Sequence, residues 1–170
     1  RQRQMCIRDR PPIVTPLVPT SRNEPQTWQY TTDAPDTDWM QPEFDAGAWQ
    51  TGPGGFGTEG TPGAKVSTEW NTSDIWLRRS FDLEGVPAEG EVQLEIHHDE
   101  DAEVYLNGKL VGSFKGYQSG YRVLPLNPGT LDALRAGANT LAVRCRQTRG
   151  GQYIDVGLTL LKEPEPSEGP

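Results

Sequence analysis

No apolar run in the 170 residues approaches the roughly 18 that a membrane-spanning helix needs. The nearest candidate, residues 13–18, is interrupted by Pro16 and lacks the layout of a signal peptide. Basic residues are also few. Sixteen Lys and Arg stand against 24 Asp and Glu, and a net charge of -8 with a pI near 4.8 argues against nucleic acid or an anionic membrane as partner. Cysteine occurs only at Cys6 and Cys145. Cys145 shares a strand face with Leu141 and Val143 and reads as a small buried hydrophobe, so a pair with Cys6 is not expected and neither is a nucleophile. The glycine-rich run 51–63 lacks a Gly-Lys-Ser/Thr ending and a following helix, which removes the P-loop reading.

Glycine (19) and proline (15) are, by contrast, plentiful, as short strands joined by turns require. The expected class is all-β, in a single domain. Residues 1–10 match nothing after them in composition and resemble translated sequencing-adapter remnants found in metagenomic gene predictions. Without their four arginines and Asp9 the charge becomes -11. Residues 11–25 hold five prolines and read as a linker, so 1–25 is expected to be non-native or linker. The sandwich is expected over 26–162 and a disordered acidic tail over 163–170.

The organising stretch is residues 91–114. Val92, Leu94 and Ile96 alternate with polar residues, giving a strand with one buried face. Asp99, Glu100 and Asp101 then predict a loop or strand crossover, and Asn107-Gly108 predicts a tight hairpin turn, because a type I′ turn needs positive φ at both central positions. Three antiparallel strands in succession are expected here. Further strands are expected over 75–81, 121–126, 139–147 and 152–161, with a short helix capped by Thr130 and ended by Gly137. Trp39, Phe44 and Trp49 are expected as core anchors beneath a wrapping loop. The glycine run is expected to form an irregular surface loop.

Such a set of strands is best accommodated as a jelly-roll β-sandwich with one short helix. Alternating strand directions sort the loops into two ends. The lower end collects turn chemistry. The upper end collects Trp70, Asp74, His97, His98, Asp99, Asp101, Lys115, Tyr117, Tyr121, Arg146, Gln147, Arg149 and Gln152, with the glycine loop nearby. A rim mixing carboxylate, guanidinium, amide and aromatic groups suits a neutral polyhydroxylated ligand, because hydroxyls need paired donors and acceptors and an aromatic face covers the apolar side of a sugar ring. Carbohydrate-binding candidates are Trp70, His97, Asp99, Asp101, Tyr117, Arg146 and Gln152. The acidic run 99–101 reads equally as a solvated turn, and a structural Ca²⁺ is an alternative without EF-hand spacing to support it; no other cofactor is expected. Adjacent His97 and His98 point to opposite faces and cannot share a metal locally. Arg79, on the face of Leu77 and Phe81, is expected to pair with a nearby acid.

Several tracts together resemble the galactose-binding-like β-sandwich modules of glycoside hydrolase family 2 proteins. They are Phe44-Asp45 with Trp49, Gly54-Gly55-Phe56-Gly57, Thr72-Ser73-Asp74-Ile75-Trp76-Leu77-Arg78-Arg79 with Phe81, His98-Asp99-Glu100-Asp101 with Val104-Tyr105-Leu106-Asn107-Gly108, and Leu134 with Gly137-Ala138-Asn139-Thr140-Leu141-Ala142-Val143. The resemblance implies a non-catalytic carbohydrate-binding accessory module, with a glycan and the catalytic domain of a parent hydrolase as partners and secretion or a periplasmic setting. The alternative is a structural domain packing on the catalytic barrel or a subunit of a β-galactosidase-like hydrolase, with no sugar binding of its own. Hydrolysis in that family needs a carboxylate pair on a (β/α)₈ barrel. No barrel fits this pattern.

Overall fold

A computed structural model describes residues 11–164. The adapter-like leader, Cys6 and the tail 165–170 lie outside the described residues. The described residues form twelve strands: β1 (Ile13–Val18), β2 (Thr27–Thr31), β3 (Gln50–Pro53), β4 (Phe56–Gly57), β5 (Thr68–Glu69), β6 (Asp74–Leu83), β7 (Glu91–Asp99), β8 (Asp101–Leu106), β9 (Lys109–Phe114), β10 (Arg122–Pro125), β11 (Gly137–Arg146) and β12 (Tyr153–Lys162). One sheet has the order β10-β7-β12-β4-β5, with β1 also on β12, and the other β3-β2-β6-β11-β8-β9. They pack face to face as a β-sandwich. No helix among the described residues is long and apolar enough to cross a membrane.

Alternation builds the core. Val92, Leu94 and Ile96 from β7 and Ile154, Val156, Leu158 and Leu160 from β12 meet Ile75, Leu77, Val104, Leu106, Leu141 and Val143 from the second sheet. Asn107 (φ 49) and Gly108 (φ 83) form the expected turn between β8 and β9. The Asn107 amide fastens that turn to β11, donating to the carbonyl of Ala133 (2.7 Å) and to Asn139 Oδ1 (2.8 Å) while its own oxygen accepts Thr140 N–H (2.8 Å). The acidic run is a crossover rather than a hairpin: β7 pairs with β10 and β12, and β8 with β11 and β9. The crossover expected at the acidic run is thereby found, and the three strands keep their alternating directions although β7 lies in the other sheet. A bend crowded with carboxylates cannot hold two strands in one ladder, so the chain changes sheet there.

Three further expectations are revised. The proline-rich stretch is not a linker throughout, because Ile13–Val18 pairs antiparallel with β12. Prolines are tolerated there because β1 lies at a sheet edge. The glycine run is only partly a surface loop: Gly54, Gly55, Phe56 and Gly57 are buried and β4 pairs with Tyr153 and Ile154. A Cβ on Gly57 would stand 2.3 Å from the Gln152 carbonyl oxygen, and one on Gly54 equally close to Ser21 Oγ. These glycines serve close approach of backbone to backbone and side chain. The short helix is a 3-10 helix at Pro128–Ala133 begun by Asn127, whose side chain accepts Gly129 N–H; Thr130 is buried inside it.

The aromatic loop wraps as expected. Trp39, Phe44 and Trp49 cover Trp76, Ala142 and Tyr105 on the outer face of the second sheet. Arg78 holds this cover in place, donating to the carbonyls of Trp39, Gln41 and Phe44. Among the described residues Arg79 has no acidic partner within ion-pair distance; it donates to the Pro19 carbonyl (3.0 Å) and to Gln26 Oε1 (2.7 Å) and lies over the Trp28 ring. Neutral acceptors replace the expected ion pair, and burial lowers the pKa of both guanidines.

Candidate functional site

Strand polarity fixes which side chains meet. β7 and β11 end, and β6, β8 and β12 begin, at the same upper rim: Asp74 lies opposite Arg146, which also lies opposite Asp101, while Tyr153 lies opposite Asp99. The glycine loop joins them. Thr61 Oγ1 accepts Gln152 N–H at 3.1 Å, and Gly63 stands against the Ser119 backbone beside His97.

Half of this rim is sealed. Trp70 belongs to the core, its indole N–H donating to Thr72 Oγ1 at 3.0 Å. Gln152 is buried and donates to the Thr72 carbonyl at 3.1 Å. His97 is fully buried, with Nε2 3.0 Å from the Gln118 carbonyl and its ring between those of Tyr121 and Tyr153. His98 points the other way, toward Phe114, and its Nδ1 meets the Glu100 carbonyl at 2.5 Å. Burial lowers both imidazole pKa values and raises that of Asp99. Cys145 is buried too, its thiol near the Tyr153 carbonyl and its pKa pushed up by burial.

Beneath this sealed half lies a latch that sequence reasoning missed. Asp155, opposite His97 on the outer face of the first sheet, accepts Ser21 N–H (2.7 Å) and Tyr121 O–H (2.5 Å) through one oxygen. Residues 19–26 thereby become a strap across that face. Its backbone passes so close to Gly157 that a Cβ there would stand 2.6 Å from the Val18 carbonyl oxygen. Burial raises the Asp155 pKa to about 6, against the lowering effect of these hydrogen bonds.

The other half of the rim is open. On the outer face of the second sheet, beyond the aromatic loop, Asp101, Glu103, Ser113, Lys115, Arg144 and Arg146 line a small cleft open to solvent. Asp101 accepts Gly116 N–H and Lys115 Nζ, each at 2.9 Å, and these contacts hold its carboxyl below the usual range. Tyr117, two residues past Lys115, is 72 % exposed. Of the sequence candidates, then, Asp101 and Arg146 come together in one cleft and Tyr117 lies on the adjoining loop. Trp70, His97, Asp99 and Gln152 are buried within the domain. Glu103, Ser113 and Arg144 were missed, because strand direction selects the ends of strands, whereas the period-2 alternation that puts Glu103 on the face of Asp101 and Arg144 on that of Arg146 was the signal that could have found two of them. Among the described residues no group of three or more His, Cys, Asp and Glu side chains is arranged to hold a metal ion. Of two larger clefts at the lower end, one around Gly90, Val92, Pro125 and Leu131 gathers mainly apolar and turn residues, and the other, around Glu89, Glu91, Lys162 and Glu163, mainly charged ones.

No protein-family model matches the chain, and neither does any curated protein. Solved structures do. A β-glucuronidase from glycoside hydrolase family 2 superposes with a TM-score of 0.61 at 15 % identity, covering 88 % of this chain and 18 % of that one. A calcium-binding mutant of Bacteroides uniformis β-glucuronidase 2 gives 0.60 at 21 %, with the same two coverages. A family 2 glycosyl hydrolase from Bacteroides cellulosilyticus gives 0.57 at 15 %, covering 80 % and 20 %. The likeness establishes a shared fold. The chain spans about a fifth of the length of these enzymes.

Proposed function

We propose that this chain is a non-catalytic carbohydrate-binding module of a glycoside hydrolase, holding glycan at the open half of its upper rim. The observation that carries this reading is the cleft of Asp101, Glu103, Ser113, Lys115, Arg144 and Arg146, where polar side chains meet solvent, with exposed Tyr117 on the loop that follows Lys115. Its fold, shared with part of several family 2 chains, supports the hydrolase context. So does the path of the chain: β1 begins and β12 ends side by side at the lower end, where Ile13 pairs with Lys162, so neighbouring polypeptide would leave the rim clear. A glycosidase needs two carboxyl groups facing one bond. Asp99 is buried instead, and both oxygens of Asp101 are engaged by its neighbours.

A second reading, a structural domain that packs on a catalytic barrel without binding sugar, is favoured by Ile13 and Val14, each 55 % exposed at that lower end. Calorimetric titration of the full chain against galactosides, other plant and algal glycans and free Ca²⁺ separates the two. Glycan binding that weakens at least about tenfold in Arg146→Ala, roughly 1.4 kcal/mol, supports the first. A folded chain that binds no glycan overturns it and leaves the second.

A further inference from the structure

Hydrogen-bond bookkeeping within the cleft narrows its ligand, granted the carbohydrate reading above. Asp74 Oδ1 accepts Arg144 Nε (3.0 Å) and Nη2 (2.8 Å), and Arg146 Nε reaches the same oxygen at 3.4 Å. One carboxylate thus anchors two guanidinium groups and neutralises one of them. Arg144 is further fixed over the Trp76 ring, 5.3 Å from its centroid. The acceptors are largely committed: both oxygens of Asp101 are in use, and Glu103 Oε2 accepts the Tyr105 hydroxyl at 3.1 Å. No partner among the described residues engages Arg144 Nη1 or either terminal nitrogen of Arg146, whose side chain is 55 % exposed. The uncommitted capacity of the cleft is therefore mainly cationic N–H, with Arg144 held in a fixed direction and Arg146 more exposed beside it.

We propose that the cleft takes the anionic oxygens of an acidic glycan, a uronate carboxylate or a sulfate ester. Arg146, supported by Arg144, receives the charged group in a forked pair of hydrogen bonds, for which guanidinium is better shaped than ammonium. The Ser113 hydroxyl and the remaining Glu103 oxygen are left for sugar hydroxyls. This replaces the expectation of a neutral ligand. Because the whole chain carries -8 and Asp74, Asp101 and Glu103 stand beside the cations, attraction comes from the uncommitted N–H groups of the two guanidinium groups at short range and not from the overall field.

The test is calorimetric titration of the full chain with oligogalacturonate, its fully methyl-esterified form, a sulfated galactan oligosaccharide and its desulfated form, at low and high NaCl. Arg146→Gln is compared with Arg146→Lys, each checked by thermal melting for an intact fold. The expected result is that at least one acidic ligand binds ten-fold or more tighter than its neutral counterpart. Arg146→Gln should abolish that preference, Arg146→Lys restore it in part, and added salt weaken it. Preference for the uronate identifies a carboxylate ligand, and preference for the sulfated galactan a sulfate one. Equal binding of acidic and neutral forms overturns this inference while leaving a carbohydrate-binding module. Failure of all four ligands to bind the folded chain overturns this inference, and failure of the wider glycan panel as well overturns both.

Discussion

On the outer face of one sheet, His97, Tyr121, Tyr153 and Asp155 lie beneath the strap of residues 19–26; on that of the other, Glu103, Lys115, Arg144 and Arg146 stand open to solvent. Both groups sit at the upper ends of strands and both alternate with core residues. The covered group directs its hydrogen bonds inward, to Ser21, Gln118 and Lys65, so its chemistry goes into holding segments of its own chain. The open group keeps donors uncommitted. Position on a strand therefore does not distinguish a binding residue from a structural one here. What crosses above it does.

The strongest challenge to this division is Trp70→Ala. As a core residue 2 % exposed, Trp70 should cost about 3–5 kcal/mol of unfolding free energy in denaturant titration, with a cavity left behind. A stable variant that had merely lost glycan binding would move Trp70 to the open half. The next test concerns Asp155. Its carboxyl titrates near about 6 when folded against a reference of 3.8, so between those values the folded state holds the extra proton. The contribution of this group is then greatest below pH of about 4 and declines as pH rises through about 6, by about 3 kcal/mol at most. Stability relative to Asp155→Asn, measured by denaturation across this range, should fall accordingly. A difference that is flat with pH would mean that the strap leaves the carboxylate hydrated. The smallest effect belongs to the open half: Lys115 is 83 % exposed where it meets Asp101, and Lys115→Ala should change stability by less than about 1 kcal/mol in thermal melts. A larger loss would make the cleft a structural element like the strap.

Much of the architecture was legible because it rests on local signals. Alternation revealed β7, β11 and β12, Asn107-Gly108 revealed the hairpin, and strand direction alone gathered Asp74, Asp101 and Arg146 at one end. The failures share a different cause. That Ile13–Val18 would join β12 and that residues 54–57 would be buried both depend on contacts far apart in sequence. Proline and glycine content described these stretches as loops, whereas the partner strand decides whether an extended segment is paired. The sealed half of the rim was unreadable for the same reason. His97 and Gln152 carry polar groups that a one-dimensional pattern assigns to solvent, and only the strap and glycine loop enclose them.

The pairing of β1 with Leu158–Lys162 has a practical consequence for dissecting the molecule. A polypeptide trimmed to start at Gln26, where the proline-rich composition ends, would strip a neighbour from β12 and expose a row of unpaired peptide groups. Such a bare margin is a template on which a second chain can add its own strand. Gly157, without a side chain to obstruct an incoming backbone, would make that addition easier. The first amino acids of the sandwich thus act as a guard against self-association, a duty invisible in any inventory of core or ligand contacts.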